Sequence, residues 1–418
     1  MDAETKPAGF PEIRVPAALT FAALVAGFAA GVLLRDTTAL APLLTVAEPA
    51  GNLWLRALQV TILPLVIGLV YTGISQTLAA AGGGALARRA VGTFVAVLLA
   101  SGTMAALLVP LLLELAPIPA QAVAALSGGA APDPGKVPGF AEILAAMMPE
   151  NIFAAAAAGA MLPVVVFTSL FALAATRVAD APRRQLMTVF EGLAAAMMVL
   201  VGWVLMLAPI GVFGLAVSLG AKSGAGAIGG LAHYILVVSA AGLVVLIAGY
   251  LLAMTLGKQP LAAFSRAMLP VHAVAISTQS SLAGLPAMLA ASRRLGVREA
   301  TADFVLPLAV AIFRGTSPAM NMGVAIYAAH LTGTPLGPAA LAAGVLVAFL
   351  VSLSSVSLPG TLSFVVSVGP IAMAMGVPIE PLALLVAVEM LPDIMRTLGN
   401  VTMDVAATTA VDRRAAPD

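Results

Sequence analysis

The chain has 418 residues, of which 61% are apolar and only 9% charged, against roughly 25% charged in a soluble domain. With a mean hydropathy of +1.07 there is too little polar surface to cover a water-soluble globule, which excludes two or three soluble domains. A net charge of +1 gives no basis for a nucleic-acid partner, and the absence of cysteine excludes disulfides, thiolate metal sites and cysteine catalysis.

The fold class this implies is an all-α polytopic membrane protein, at about 20 apolar residues per span. The mixed acids and bases of residues 1–14 and the lack of a small-residue cleavage site predict an uncleaved first helix. Uncharged runs at Val15 to Leu34, Ala57 to Ala80, Val91 to Leu113, Asn151 to Thr176, Gly192 to Ala221 and Leu231 to Leu256 predict helices one to six. An alanine-rich connection, Ala116 to Gly139, separates helices three and four. Placing the N-terminus in the cytoplasm puts Lys6, Arg14, Arg88, Arg89, Arg177, Arg183, Arg184, Lys258 and Arg266 inside, with Arg293, Arg294, Arg298, Arg413 and Arg414. The positive-inside rule therefore predicts both termini cytoplasmic.

The C-terminal half differs in kind. No formal charge occurs from Gly315 to Ile379, yet Gly333-Thr-Pro335, Ser352 to Gly360, Gly369-Pro370 and Gly376-Val-Pro378 interrupt it. The earlier run Ala267 to Ser292 is broken by Ser277 to Pro286. Polar, Gly/Pro-containing breaks inside apolar runs predict re-entrant hairpins, because unpaired backbone at membrane depth is tolerated only where protein or a cavity surrounds it. The two breaks form a pair, Ser280-Ser281 to Leu285-Pro286 and Ser354-Ser355 to Leu358-Pro359. Each precedes a span carrying intramembrane charge. Paired broken segments point to a transporter's midplane site. Ten of the chain's 39 Gly and 29 Pro sit at these breaks.

In the last span Glu389, Asp393, Arg396, Asn400 and Asp404 follow one another at helical offsets and share a stripe. Three carboxylates and a guanidinium facing lipid would be very costly, so they face protein or water. A structural ion-pair stripe needs neither the asparagine nor the neighbouring hairpins. A binding stripe uses them all: Arg396 is a planar fork for a carboxylate, and Asp393 a counter-charge for an ammonium. Asn400 and Asp404 offer oxygens to a hard cation such as sodium, or a titratable group for a proton. The serine-rich tips can present N–H and hydroxyl groups to a second carboxylate. His233, His272 and His330 are too scattered for a metal site, and Gly82 to Gly84 lacks the strand and Lys-Ser/Thr of a phosphate loop. No H-E-x-x-H and no serine elbow supports an intramembrane hydrolase, so no enzyme, catalytic residue or organic cofactor is expected.

The chain resembles the dicarboxylate/amino acid:cation symporter family, the glutamate-transporter homologues. The likeness rests on Leu53 to Val66 for the second helix, Ala208 to Phe213 for the fifth and Thr278 to Pro286 for the first hairpin tip. It also rests on Ser354 to Gly360 for the second tip and on Asp393, Arg396, Thr397, Asn400 and Asp404 for the eighth helix. The resemblance implies eight transmembrane helices plus two re-entrant hairpins, with inverted repeats and elevator movement. It implies a homotrimer in the inner membrane, with the lipid bilayer and a small anionic substrate as its partners.

The implied division is a cytoplasmic N-terminus at 1–14, scaffold helices one and two at 15–80, and transport helix three at 81–113. Scaffold helices four and five follow at 114–230, the transport domain at 231–414 and a cytoplasmic tail at 415–418. Carried over by position, the substrate would meet Ser280, Ser281, Thr316, Ser317, Pro359, Gly360, Asp393, Arg396, Thr397 and Asn400. A coupling cation would meet Asn400, Asp404, Ser352, Ser355 and Ser101. An acid at Asp393 favours aspartate or glutamate as substrate. A C4-dicarboxylate carrier, coupled to protons or to no cation, is the alternative, and an anion channel a lesser one.

Helix seven departs from the family. Counting from Phe304-Val-Leu-Pro-Leu308, the N-M-D-G-T break of the resemblance falls on Phe313-Arg314-Gly315-Thr316-Ser317 and not on Asn321-Met322-Gly323. Arg314 then stands where methionine is expected and Gly315 where the cation-binding aspartate is. In helix three the expected tyrosine and threonine ligands are Val97 and Ala100, with Ser101 kept. At least one sodium site is therefore expected to be dismantled, with Arg314 as a cation surrogate toward Asp404 or Asp393. The coupling expected is then to fewer sodium ions, to a proton, or to no cation at all. Two further roles for Arg314 remain open: binding free carbonyls at the break, or contacting substrate.

Overall fold

The structure is a computed structural model that describes residues 16–120, 122, 123, 145, 147–223, 226–354 and 360–415. Its elements begin with α1 (Ala17–Leu33), α2 (Leu40–Ala81) and α3 (Ala85–Leu115). They continue with α4 (Ile152–Ala157), α5 (Met161–Ala175), α6 (Asp180–Met206), α7 (Ala208–Ser223) and α8 (Gly226–Thr255). No strand occurs among the described residues.

Among the described residues five helices, α2, α3, α6, most of α8 and α9 (Leu261–Thr278), are long and apolar enough to cross a membrane. Large apolar side chains stand on the outside, as on Leu107 (71% exposed) and Leu236 (70%), which is costly in water and ordinary against lipid. Two predicted spans are each two helices. Asn151 to Thr176 turns at Gly159, whose φ is +71°, between α4 and α5, and Gly192 to Ala221 is interrupted at Leu207 between α6 and α7.

The N-terminal helices pack closely because small residues face backbone. A Cβ on Gly31 of α1 would strike the Val217 carbonyl of α7, and one on Gly220 would strike the Phe28 carbonyl. Trp54 of α2 bridges to α6, its Nε1 donating to the Val204 carbonyl at 2.9 Å.

The first hairpin is present. Arm α9 ends at Thr278, Gln279 takes a left-handed φ of 50°, and Ser280 caps the returning arm α10 (Ser281–Arg294) by accepting from the Ala283 N–H at 3.3 Å. Helix seven is two helices, α11 (Glu299–Ile312) and α12 (Ser317–Thr332), interrupted at Phe313 to Thr316. The cause is local: Pro318 near the α12 start blocks a continuous helix through the Arg314 carbonyl. The predicted register is thus the observed one, and Asn321-Met322-Gly323 lies inside unbroken helix. Every residue of α12 except His330 is buried, so this helix forms the centre of the C-terminal half.

The second hairpin has arms α13 (Pro338–Ser354) and α14 (Gly360–Ala374), which pack together. Of its tip, Ser355 and Pro359 lie outside the described residues, and Gly360 opens α14. The last span also has an interrupted entry: α15 (Leu382–Leu385), a 3₁₀ turn at Val386–Val388, and α16 (Met390–Ala415). Each hairpin is thus followed by an interrupted helix.

Candidate functional site

Among the described residues five charged side chains are buried: Arg314, Glu389, Asp393, Arg396 and Asp404. All lie on the α11–α12 break or on the α16 stripe. Asp393 N–H donates to the Glu389 carbonyl at 2.9 Å, so the helical hydrogen bonding already starts at Glu389 and keeps the stripe in register. The Arg396 guanidinium is held between two carboxylates. Its Nη2 lies 2.6 Å from Glu389 Oε1, an ion pair without an aligned hydrogen bond, and its Nη1 donates to Asp393 Oδ1 at 3.2 Å. Nε, on the same edge of the fork as Nη2, has no hydrogen-bond partner within the chain. That edge has the geometry for two parallel bonds to a carboxylate.

Glu389 is fully buried and accepts a 3.0 Å hydrogen bond from the Tyr234 hydroxyl of α8. Tyr234 packs edge-on against Tyr327 of α12, whose hydroxyl donates to the Gly230 carbonyl. The Thr397 hydroxyl bonds back to the Asp393 carbonyl at 3.0 Å.

The break is joined to α16 by one bond, the Thr316 N–H donating to Asn400 Oδ1 at 2.9 Å. Between them α16 comes so close that a Cβ on Gly399 would collide with the Thr316 side chain. A Cβ on Gly315 would meet Met403 Cγ at 2.6 Å, so Met403 occupies the space that an aspartate at this position would need. Phe313 stacks on Phe94 of α3, with centroids 4.3 Å apart and rings within 8° of parallel. Arg314 is 6% exposed, and the charges acting on it are Asp404, Asp393 and Arg396. Both carboxylate oxygens of Asp404 are buried without a hydrogen bond, and Arg314 is the charge that acts on them.

Further buried polar atoms lack partners: the hydroxyls of Ser101 on α3, Thr316, Ser317 and Ser352 on α13, and both amide atoms of Asn321. Buried polar groups without partners are rare and mark sites where a ligand, ion or water belongs. At the first hairpin tip the Ser280 hydroxyl is occupied by its cap, and Ser281 is buried at the start of α10.

The structure therefore gathers Arg314, Thr316, Asp393, Arg396, Thr397, Asn400 and Asp404 around one break. It does not join Ser280 or Ser281 to α16 by a hydrogen bond. Glu389 was visible as the head of the stripe, but its pairing with Arg396 and Tyr234 had no sequence signal beyond the spacing. Tyr234 carries no signal in the sequence, and Asn321 enters only as the rejected register of the helix-seven break, since a tyrosine or asparagine in an apolar helix is ambiguous without its neighbours.

Residues 17–414 match the sequence model of the sodium:dicarboxylate symporter family. The chain is 28% identical over 273 residues to the proton/sodium-glutamate symport protein of Bacillus subtilis (strain 168), covering 65% of this chain and 63% of that protein. It is 27% identical over 281 residues to C4-dicarboxylate transport protein 1 of Pseudomonas aeruginosa (strain UCBPP-PA14), covering 66% and 62%. It is 25% identical over 370 residues to the proton/glutamate-aspartate symporter of Escherichia coli (strain K12), covering 87% and 84%. The match thus spans less than two thirds of the first two relatives and most of the third. The buried stripe, the paired hairpin and interrupted-helix units and the family match together give the assignment: this polytopic, all-helical chain belongs to the sodium:dicarboxylate symporter family, a family of transporters and not of enzymes.

Proposed function

We propose that the protein is a secondary active symporter for acidic amino acids such as aspartate or glutamate, working by alternating access. The observation that carries this reading is buried Arg396 beside Asp393, its Nε without a hydrogen-bond partner and its Nη2 held only by the Glu389 ion pair, a fork for a carboxylate next to an acceptor for an ammonium. Asn400, Thr397, Thr316, Ser317, Ser280, Ser281, Pro359 and Gly360 would complete the substrate site. C4-dicarboxylates are the second reading, supported by a second buried guanidinium, Arg314, which shares Asp393 with Arg396.

Cation coupling would be reduced relative to the family. Arg314 would stand in for a lost cation toward Asp404, supported by the burial of both groups and by Met403 filling the space beside Gly315. Ser101, Ser352, Ser355, Asn400 and Asp404 would hold what cation remains. The moving part would comprise α3 and α8 to α16, in which α3, α8, α13, α14 and α16 pack against buried α12 and α9 to α11 pack against α16, with α1, α2 and α4 to α7 as scaffold. Elevator displacement, a homotrimer, the bacterial inner membrane and cytoplasmic termini complete the proposal. They are supported by the family and by the positions of the basic residues.

Uptake of labelled aspartate and succinate into proteoliposomes, under imposed sodium or proton gradients, tests it. Saturable, gradient-driven uptake and counterflow are expected. No uptake of either substrate, or single-channel currents in its place, would overturn the reading.

A further inference from the structure

Glu389 has no role in the substrate and cation sites proposed above, yet it is the most deeply enclosed of the buried acids and the closest to Arg396. Its Oε1 lies 2.6 Å from Arg396 Nη2 while Oε2 accepts from the Tyr234 hydroxyl. The groups facing it are Arg396 and Asp393 on α16 and Tyr234 on α8, with Tyr327 of α12 behind the Tyr234 ring. The Nη2 that Glu389 touches belongs to the guanidinium edge that a substrate carboxylate would take. Arg396 Nη1 is already engaged by Asp393. A carboxylate on that edge would have to share Nη2 with Glu389, so Glu389 and the substrate draw on the same nitrogen of one cation.

The charge balance makes that competition consequential. The five buried charges are three carboxylates and two guanidiniums. An acidic amino acid adds a further net negative charge, and a dicarboxylate adds two. Once substrate takes Nη2, Glu389 becomes a fully buried carboxylate stripped of its counter-charge. A buried, unpaired carboxylate takes up a proton because the ionised form is too costly there. Tyr234 serves both forms unequally: its bond to the carboxylate is the stronger, charge-assisted one, and it can still donate more weakly to the carbonyl oxygen of the neutral acid.

We propose that Glu389 is a coupling-proton site, binding a proton from the aqueous side when an acidic substrate displaces it from Arg396 and releasing it when the substrate leaves. This rests on the reading of Arg396 as the carboxylate anchor. One oxygen–hydrogen bond forms on the Glu389 carboxylate per substrate bound, and the proton comes from and returns to water. The site uses no part of the dismantled sodium position.

The test is calorimetric binding of aspartate and of succinate to the purified full chain across mildly acidic to mildly alkaline pH, with a pH-indicator dye recording protons taken up. The unaltered protein is expected to bind up to about tenfold more tightly per unit fall in pH, with proton uptake on binding. Glu389→Gln removes the competing charge, so its affinity is expected to be flat with pH and tighter than that of the unaltered protein at alkaline pH. Tyr234→Phe removes a donor from the ionised form, so its pH midpoint is expected to move to higher pH, which decides the matter if the glutamine variant does not fold. An unchanged pH slope in Glu389→Gln, an unmoved midpoint in Tyr234→Phe, or binding without proton uptake would overturn the proposal alone. Failure of the unaltered protein to bind either probe at any pH would overturn the reading of Arg396 as well.

Discussion

The Thr316 N–H and the Asn400 side-chain oxygen, 84 residues apart, meet at 2.9 Å and tie the interrupted helix seven to the charged stripe of α16. The α11–α12 break leaves backbone N–H groups without helical partners, and Asn400 accepts one of them in a buried setting. Asn400→Ala would leave that donor unsatisfied and is expected to destabilise the protein by about 1–3 kcal/mol. Asn400→Asp keeps an acceptor and should lose less. Thermal unfolding of the purified variants measures both, and equal losses would show that the bond to Thr316 is not what matters at this position.

Gly399 stands one residue before that asparagine, and its missing side chain is what lets α16 approach the break. Gly399→Ala forces the Thr316 side chain away and is expected to cost about 1–3 kcal/mol through overpacking. Gly92→Ala is the matched control, because nothing lies within 4 Å of a Cβ there. A melting temperature lowered in the first variant and unchanged in the second is expected. Equal behaviour would contradict the close approach.

Arg314 and Asp404 are opposite charges buried together, so removing one should be worse than removing both. Arg314→Met is expected to cost about 3–5 kcal/mol, as for a buried ion pair losing one partner. Adding Asp404→Asn should recover most of this. Chemical denaturation of the single and double variants gives the coupling energy. A double variant no more stable than Arg314→Met would remove the surrogate role.

The Ser101 and Ser352 hydroxyls are buried without partners, so their loss removes a desolvation penalty and no bond. Ser101→Ala and Ser352→Ala are expected to leave stability unchanged or slightly raised. If these hydroxyls hold a cation, the same variants will lower the effect of sodium on aspartate affinity. Stability falling in both, with sodium dependence untouched, would assign them a packing role.

Much of this molecule is legible along the chain because its signals are local. The turn at Gln279 and the break at Phe313 to Thr316 follow from short-range backbone chemistry: a serine that caps α10 and a proline that cannot continue a helix. The α16 stripe follows from the 3.6-residue period alone. Two spans read as continuous because no charge interrupts them, yet they turn at Gly159 and Leu207. At Gly159 the turn uses a φ of +71°, which glycine adopts freely, and a reading based on charge-free runs passes over it.

By itself the sequence determined the membrane class, the first hairpin, the register of the helix-seven break and the identity of the buried charges. Only the tertiary structure decided which charge meets which. Tyr234 reaches Glu389 across 155 residues, Asn400 takes the Thr316 N–H, and Arg396 pairs with both Glu389 and Asp393. Composition and periodicity report where a residue lies on its own helix. Partners on different helices are chosen by packing, which brings together groups that the chain order keeps apart and excludes the water that would otherwise satisfy them.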